Sequence, residues 1–175
     1  MPFLSEFTYT LPAQILGFIA MFVDIRASYQ KKDQQLKKMH ALASLIFSAH
    51  FFLLSAWVGA ASELLNSVRT YMSIKGIKKK TGIFFCLVYA LLMLIMSDGF
   101  ITHLPFIASI SITYGIYFCH GKKLRLLYLL GWFLWLVYSI AVVSVGAIIL
   151  FMILCSTTTY TILKMGNDLS KKNGD

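Results

Sequence analysis

Every second break between the apolar runs of this chain is basic, and the breaks between those are free of Lys and Arg. The runs span about Leu11–Tyr29, Met39–Ala56, Trp57–Ile74, Thr81–Ser97, Thr102–Cys119, Leu124–Val142 and Val145–Leu163. A bilayer crossing takes roughly 20 mostly apolar residues as a helix. An open-edged or irregular backbone would leave polar groups unpaired in hydrocarbon. The expected fold class is therefore an all-α membrane protein with seven transmembrane helices.

The basic breaks are Arg26–Lys38, Lys75–Lys80, His120–Arg125 and the tail from Lys164. They hold 15 of the 16 Lys and Arg residues, and the sixteenth, Arg69, lies inside the third run. Met1–Thr10, the hairpin at Trp57, Asp98–His103 and Val142–Val145 contain none. Because basic residues favour the cytoplasmic side, this pattern predicts N-out/C-in. It also accounts for the formal net charge of +9 without nucleic acid, since the same clusters suit anionic lipid headgroups. At 58% hydrophobic and 13% charged, the chain is far from the soluble norm of about a quarter charged.

The organisation expected is one transmembrane domain over 1–165, with a polar cytoplasmic tail over 166–175. Within the domain, 11–74 and 102–164 are two triple-helix bundles and 81–97 is a linker helix. Leu11-Pro12 matches Leu104-Pro105, and Val58-Gly59-Ala60 matches Val145-Gly146-Ala147. Four crossings separate the two starts, so the halves run the same way: a parallel 3+1+3 repeat, related by an axis along the membrane normal. The start of the chain lacks a basic stretch followed by a cleavage site, so the first helix is expected to stay as an anchor.

Polar residues inside a membrane are costly and normally face a cavity or one another. Glu63, Asn66 and Arg69, spaced i, i+3, i+6, form one stripe on the third helix. His50 and Glu63 both lie roughly 10 Å below the outer surface at 1.5 Å per residue. They are expected to meet, either as a proton relay or as a structural pair. Asp24 and Arg69 reach similar depths and form a candidate ion pair. Arg69 could instead snorkel to headgroups or bind an anionic group. Asn66 offers donors and acceptors to a polar solute, or a bond between helices.

In the second half Ser109, Ser111, Thr113 and Tyr114 line part of the fifth helix, and Trp132, Trp135, Tyr138 and Ser139 sit on the sixth. Trp135 and Tyr138 could stack on a planar solute or simply pack. Ser156 to Tyr160 are expected to bond their own backbone. His40 and His120 fall at cytoplasmic helix ends and His103 outside, so the histidines form no metal-spaced cluster. Cys86, Cys119 and Cys155 read as small buried hydrophobes. No phosphate loop, nucleophile elbow or paired catalytic carboxylates occur, so neither an enzyme nor a cofactor is expected.

Ala13-Gln14, Gly17, Ile19-Ala20, His50-Phe51-Phe52-Leu53-Leu54, Gly59-Ala60, Leu65-Asn66 and Val68-Arg69 resemble the YgjV family of bacterial inner-membrane proteins. The resemblance is concentrated in the first 75 residues and implies the bacterial inner membrane as location. More distantly, three-plus-one-plus-three helices with Pro12 and Gln14 in the first and Pro105 in the fifth look like the PQ-loop and SWEET class. Ile107 stands where that class carries its second Gln. The class includes sugar and amino-acid carriers and a non-transporting receptor, so it implies fold more than activity. Asp24 and Glu63 lie outside the family pattern and are read from physics alone.

These readings converge on a small-solute transporter or solute-binding protein with a polar site near mid-membrane. His50, Glu63, Asn66, Arg69, Gln14, Trp135 and Tyr138 would line its pathway. The alternative is a membrane receptor or interaction protein whose intramembrane polar groups are internal glue. The partners expected are the lipid bilayer and a small polar solute. The narrow bundle is compatible with a homo-oligomer, for which no residue pattern speaks.

Overall fold

The computed structural model describes residues 2–28, 33–76, 78–96, 98–119 and 121–172. These form seven α-helices and no strand: α1 Pro2–Ser28, α2 Asp33–Leu53, α3 Trp57–Met72, α4 Lys79–Met96, α5 Phe100–Phe118, α6 Gly121–Ala141 and α7 Val145–Lys172. A 3-10 turn, Ser73–Lys75, extends α3. Two ends differ from the sequence expectation. The leader before Leu11 is helical and continuous with α1; Pro2 at the first helical position suits that start. The polar tail is helical as far as Lys172: past Lys164 no proline interrupts a helix that gains one hydrogen bond per added residue.

Lys79–Met96, Phe100–Phe118, Lys122–Ala141 and Val145–Leu163 are each long and apolar enough to cross a membrane. By contrast α3 has 16 residues, about 24 Å at 1.5 Å each, and it carries the polar stripe. It depends on its neighbours.

Those neighbours form a ring. The first row is α1–α2–α3 and the second α5–α6–α7, with the middle helix packed on both others in each row. Contacts of α3 with α5 and of α1 with α7 close the ring, while α4 lies outside it against α5. Neither row is a closed triple-helix bundle, since its first and third helices do not pack on each other among the described residues.

The α2–α3 and α6–α7 hairpins are built alike. In the first, Ala56 N–H bonds Phe51 O and Ser55 N–H bonds Phe52 O; in the second, Ser144 N–H bonds Ser139 O and Val143 N–H bonds Ile140 O. This is the Schellman arrangement, which needs a left-handed residue after the helix. Ser55 at φ 56 and Val143 at φ 52 supply it. The first break therefore falls at Leu54–Ala56, directly before the Trp57 at which the hairpin was expected.

Between the rows lies an aromatic core. Trp135 stacks on Phe51 with centroids 5.9 Å apart and on Phe151 at 5.8 Å. Where α1 and α7 cross, a Cβ on Gly146 would lie 2.7 Å from the backbone of Gly17. Only glycine allows that approach.

Candidate functional site

Below this core the ring encloses a cavity of about 210 Å³. That far exceeds the roughly 10–15 Å³ that holds one water and falls short of the about 300–1,000 Å³ of drug-sized pockets. The first row supplies its polar wall: Asp24, His40, Ser44, Glu63, Asn66 and Arg69. The second supplies aromatic groups, including Tyr117, Tyr128, Trp132 and Phe151. The contrast follows from sequence, because α3 places Glu63, Asn66 and Arg69 on one buried face.

Each polar group is held from a neighbouring helix. The guanidinium of Arg69 donates through Nη1 to Thr113 Oγ1 at 2.6 Å and to Ser109 O at 3.3 Å. Thr113 Oγ1 in turn donates to Ser109 O at 2.6 Å, so its lone pairs point at the arginine. Asn66 Oδ1 accepts from Tyr89 of α4 at 2.8 Å, and its Nδ2 faces Glu63 Oε1 at 3.4 Å. Ser44 also hydrogen-bonds Glu63. Asp24 of α1 contacts the His40 ring of α2 through Nδ1. Lys37 Nζ donates to Ser73 O at 3.0 Å, tying α2 to the 3-10 turn.

The geometry corrects three expectations. His50 does not pair with Glu63: Nδ1 meets Ala13 O at 2.6 Å and Nε2 meets Ser144 Oγ at 2.6 Å. A carbonyl only accepts, so Nδ1 carries the proton and, in the neutral ring, Nε2 accepts from the serine. Equal depth on adjacent helices did not mean a shared face. Gln14 is not a cavity residue either; its Nε2 donates to Val143 O at 2.7 Å and its Oε1 accepts from Val145 N–H at 3.1 Å. Trp135 and Tyr138 are 1% and 2% exposed within the core, and the Tyr138 hydroxyl accepts from Gly59 N–H at 2.9 Å. Trp132 and Tyr128, on the neighbouring face of α6, occupy the cavity wall instead.

Other expectations fared variously. The bonds of Arg69 run to α5 rather than to Asp24, although both line the cavity. At 6% exposure Arg69 does not snorkel. Ser156, Thr157 and Thr161 bond back to Met152 O, Ile153 O and Thr157 O. Tyr114 is exposed, and His103 Nδ1 bonds Gly99 O at 2.5 Å. His120 lies outside the described residues. Sequence reasoning placed His40 at a helix end rather than on the cavity wall and missed Ser44 and Phe47; the spacing of the three, i, i+4, i+7, marks one helical face.

A ring of apolar helices around a charged interior cavity defines a multi-pass helical membrane protein. More particularly, the chain belongs to the Imp-YgjV family, bacterial inner membrane proteins, whose model matches residues 11–168. It is 25% identical over 134 residues to inner membrane protein YgjV of Escherichia coli (strain K12), an overlap covering 77% of this chain and 73% of that protein. No solved structure matches it. The protein is thus one of the bacterial inner membrane.

Proposed function

We propose that this protein binds a small polar solute in the cavity between its two helix rows and carries it across the inner membrane. The observation that carries this reading is the cavity itself. Its wall gathers Asp24, His40, Glu63, Asn66 and Arg69, and ionisable groups within a membrane normally mark a solute or ion path. The basic breaks favour an N-out/C-in orientation, which puts the α2–α3 and α6–α7 hairpins outside. Lys37 and Ser73 then border the cavity on the cytoplasmic side. The ring of two like rows, with matching hairpins, supports a parallel 3+1+3 repeat with the site between its halves. Gln14, His50 and Tyr138 act in this reading as the outer seal, and Glu63, Asn66 and Arg69 as the binding wall.

A second reading, an interaction protein with internal polar glue, draws on the bonds from Arg69 to Thr113 and from Tyr89 to Asn66. The two separate in one experiment. Cells with and without the protein are screened for uptake and efflux of radiolabelled small polar solutes under imposed proton and sodium gradients. Transport predicts a solute whose flux depends on the protein and falls in Glu63→Gln at unchanged membrane abundance. If no solute moves under any gradient, the glue reading stands and transport fails.

A further inference from the structure

Around the cavity, buried groups able to donate hydrogen bonds stand without partners on Arg69 and on α5. The acceptors are engaged: Asp24 has His40, Glu63 has Asn66 and Ser44, and Asn66 Oδ1 has Tyr89. Several donors are not. Arg69 Nε and the Tyr117 hydroxyl, on the cavity wall, and the Ser109 hydroxyl, on the same helix as Tyr117, are buried without a partner among the described residues. They belong together, since Ser109, Thr113 and Tyr117 fall on one face of α5 at i, i+4, i+8. Arg69 crosses from α3 to bond the middle and upper members of that row. Its bonds run to a hydroxyl and a carbonyl, neutral acceptors that leave its charge uncompensated by them. A buried guanidinium in this state is suited to an oxyanion, which it grips by paired N–H groups.

We propose that the solute is a small organic carboxylate with a planar apolar body, held by its anionic group at Arg69 and Tyr117. This deepens the reading under Proposed function and rests on it. The ring has a place beside these donors. Tyr128 and Trp132 line the same cavity with centroids 5.4 Å apart, and Trp132 stacks on Phe151 at 5.9 Å. An amino acid is a poorer fit than a simple carboxylate, because its ammonium would have to share Asp24 with His40 or Glu63 with Asn66. The volume of about 210 Å³ sets the scale at one small ring with a short acid arm.

The test uses the full chain in lipid nanodiscs, with tryptophan fluorescence reporting on Trp132 and four probes: phenylacetate, phenylacetamide, phenethylamine and acetate. Phenylacetate is expected to bind saturably, and the isosteric neutral amide roughly ten- to a hundred-fold more weakly, as for loss of charged hydrogen bonds. Arg69→Gln should abolish that preference. Tyr117→Phe, which keeps the ring packed on Gly82, should weaken phenylacetate several-fold with no loss of thermal stability, guarding against a misfolded Arg69 variant. Equal binding of acid and amide, tighter binding of the amine, or a preference unchanged in both variants would overturn the carboxylate assignment while leaving a solute site in place. No saturable binding by any probe also overturns it. The uptake screen then decides separately whether the broader reading survives.

Discussion

Val143 offers a quantitative handle on this fold. It is a β-branched residue at φ 52, in the left-handed region that costs an L-residue with a Cβ roughly 1–3 kcal/mol. Replacing it by glycine removes that cost, because glycine enters the region freely. Two losses oppose the gain. Glycine gives up more chain entropy on folding, about 0.5–1 kcal/mol, while little packing disappears because Val143 is 66% exposed. Its carbonyl, the acceptor for Gln14, is kept. The net expectation for Val143→Gly is a stabilisation of about 0.5–1.5 kcal/mol. Reversible unfolding in mixed micelles would read this as a higher midpoint at unchanged slope. Val143→Ala, which keeps a Cβ, should gain less. Ser55→Gly, at φ 56 in the matching hairpin, should gain as well, though less because serine is not β-branched. A lower midpoint for Val143→Gly would refute the Schellman geometry assigned to the α6–α7 hairpin.

Other perturbations reach the same architecture from different sides. Tyr138→Phe leaves the Gly59 amide unpaired in the core and should cost about 1–3 kcal/mol by the same unfolding assay. Gln14→Leu strands Val143 O and Val145 N–H together and should cost as much or more, whereas a cavity-lining role would change solute handling with little loss of stability. Gly146→Ala drives a methyl group into the Gly17 backbone, so a loss of about 1–3 kcal/mol is expected from overpacking. In a cysteine-free background, a cysteine at Asp98 should react with an impermeant maleimide from the periplasm, and one at Lys123 only after permeabilisation. The reverse pattern would overturn N-out/C-in.

The helix count, the two tight hairpins and the common face of Glu63, Asn66 and Arg69 were legible because each rests on a periodicity or a break along one segment. Partners across helices were not. Depth along an axis says nothing about rotation around it, and a helix turns about 100° with each residue. Thus His50 and Glu63, level with each other, bond in different directions. Likewise Trp132 reaches the cavity and Trp135 the core, though the two are only about 60° apart around α6. Asp24 with His40 is a contact between chemically complementary residues that no local spacing announces. The PQ-loop resemblance drew attention to Gln14, but its task became visible only once α7 was seen to begin beside it.

That task points to how the two rows are coupled. The first amides of a helix have no partner within it, and α3 begins at Ala56 without a side-chain cap. Tyr138, from the second row, accepts the Gly59 amide of α3. Gln14, from the first row, accepts the Val145 amide of α7. His50 of the first row bonds Ser144 in the hairpin of the second. Each row therefore completes a helix start belonging to the other, all at the hairpin end, while at the other end a cavity lies between them, flanked by the bonds from Arg69 to α5. Under the transport reading, opening the hairpin end means breaking these bonds and the one from Gln14 to Val143. At roughly 0.5–1.5 kcal/mol each, they hold the opened form several kcal/mol above the closed one, a minor state in the empty protein. A solute can raise its population only by binding it more tightly than the form described here, by a comparable free energy. Because the Arg69 wall lies between the rows, a carboxylate that draws Arg69 and Tyr117 together acts on the spacing that the seal at the far end controls.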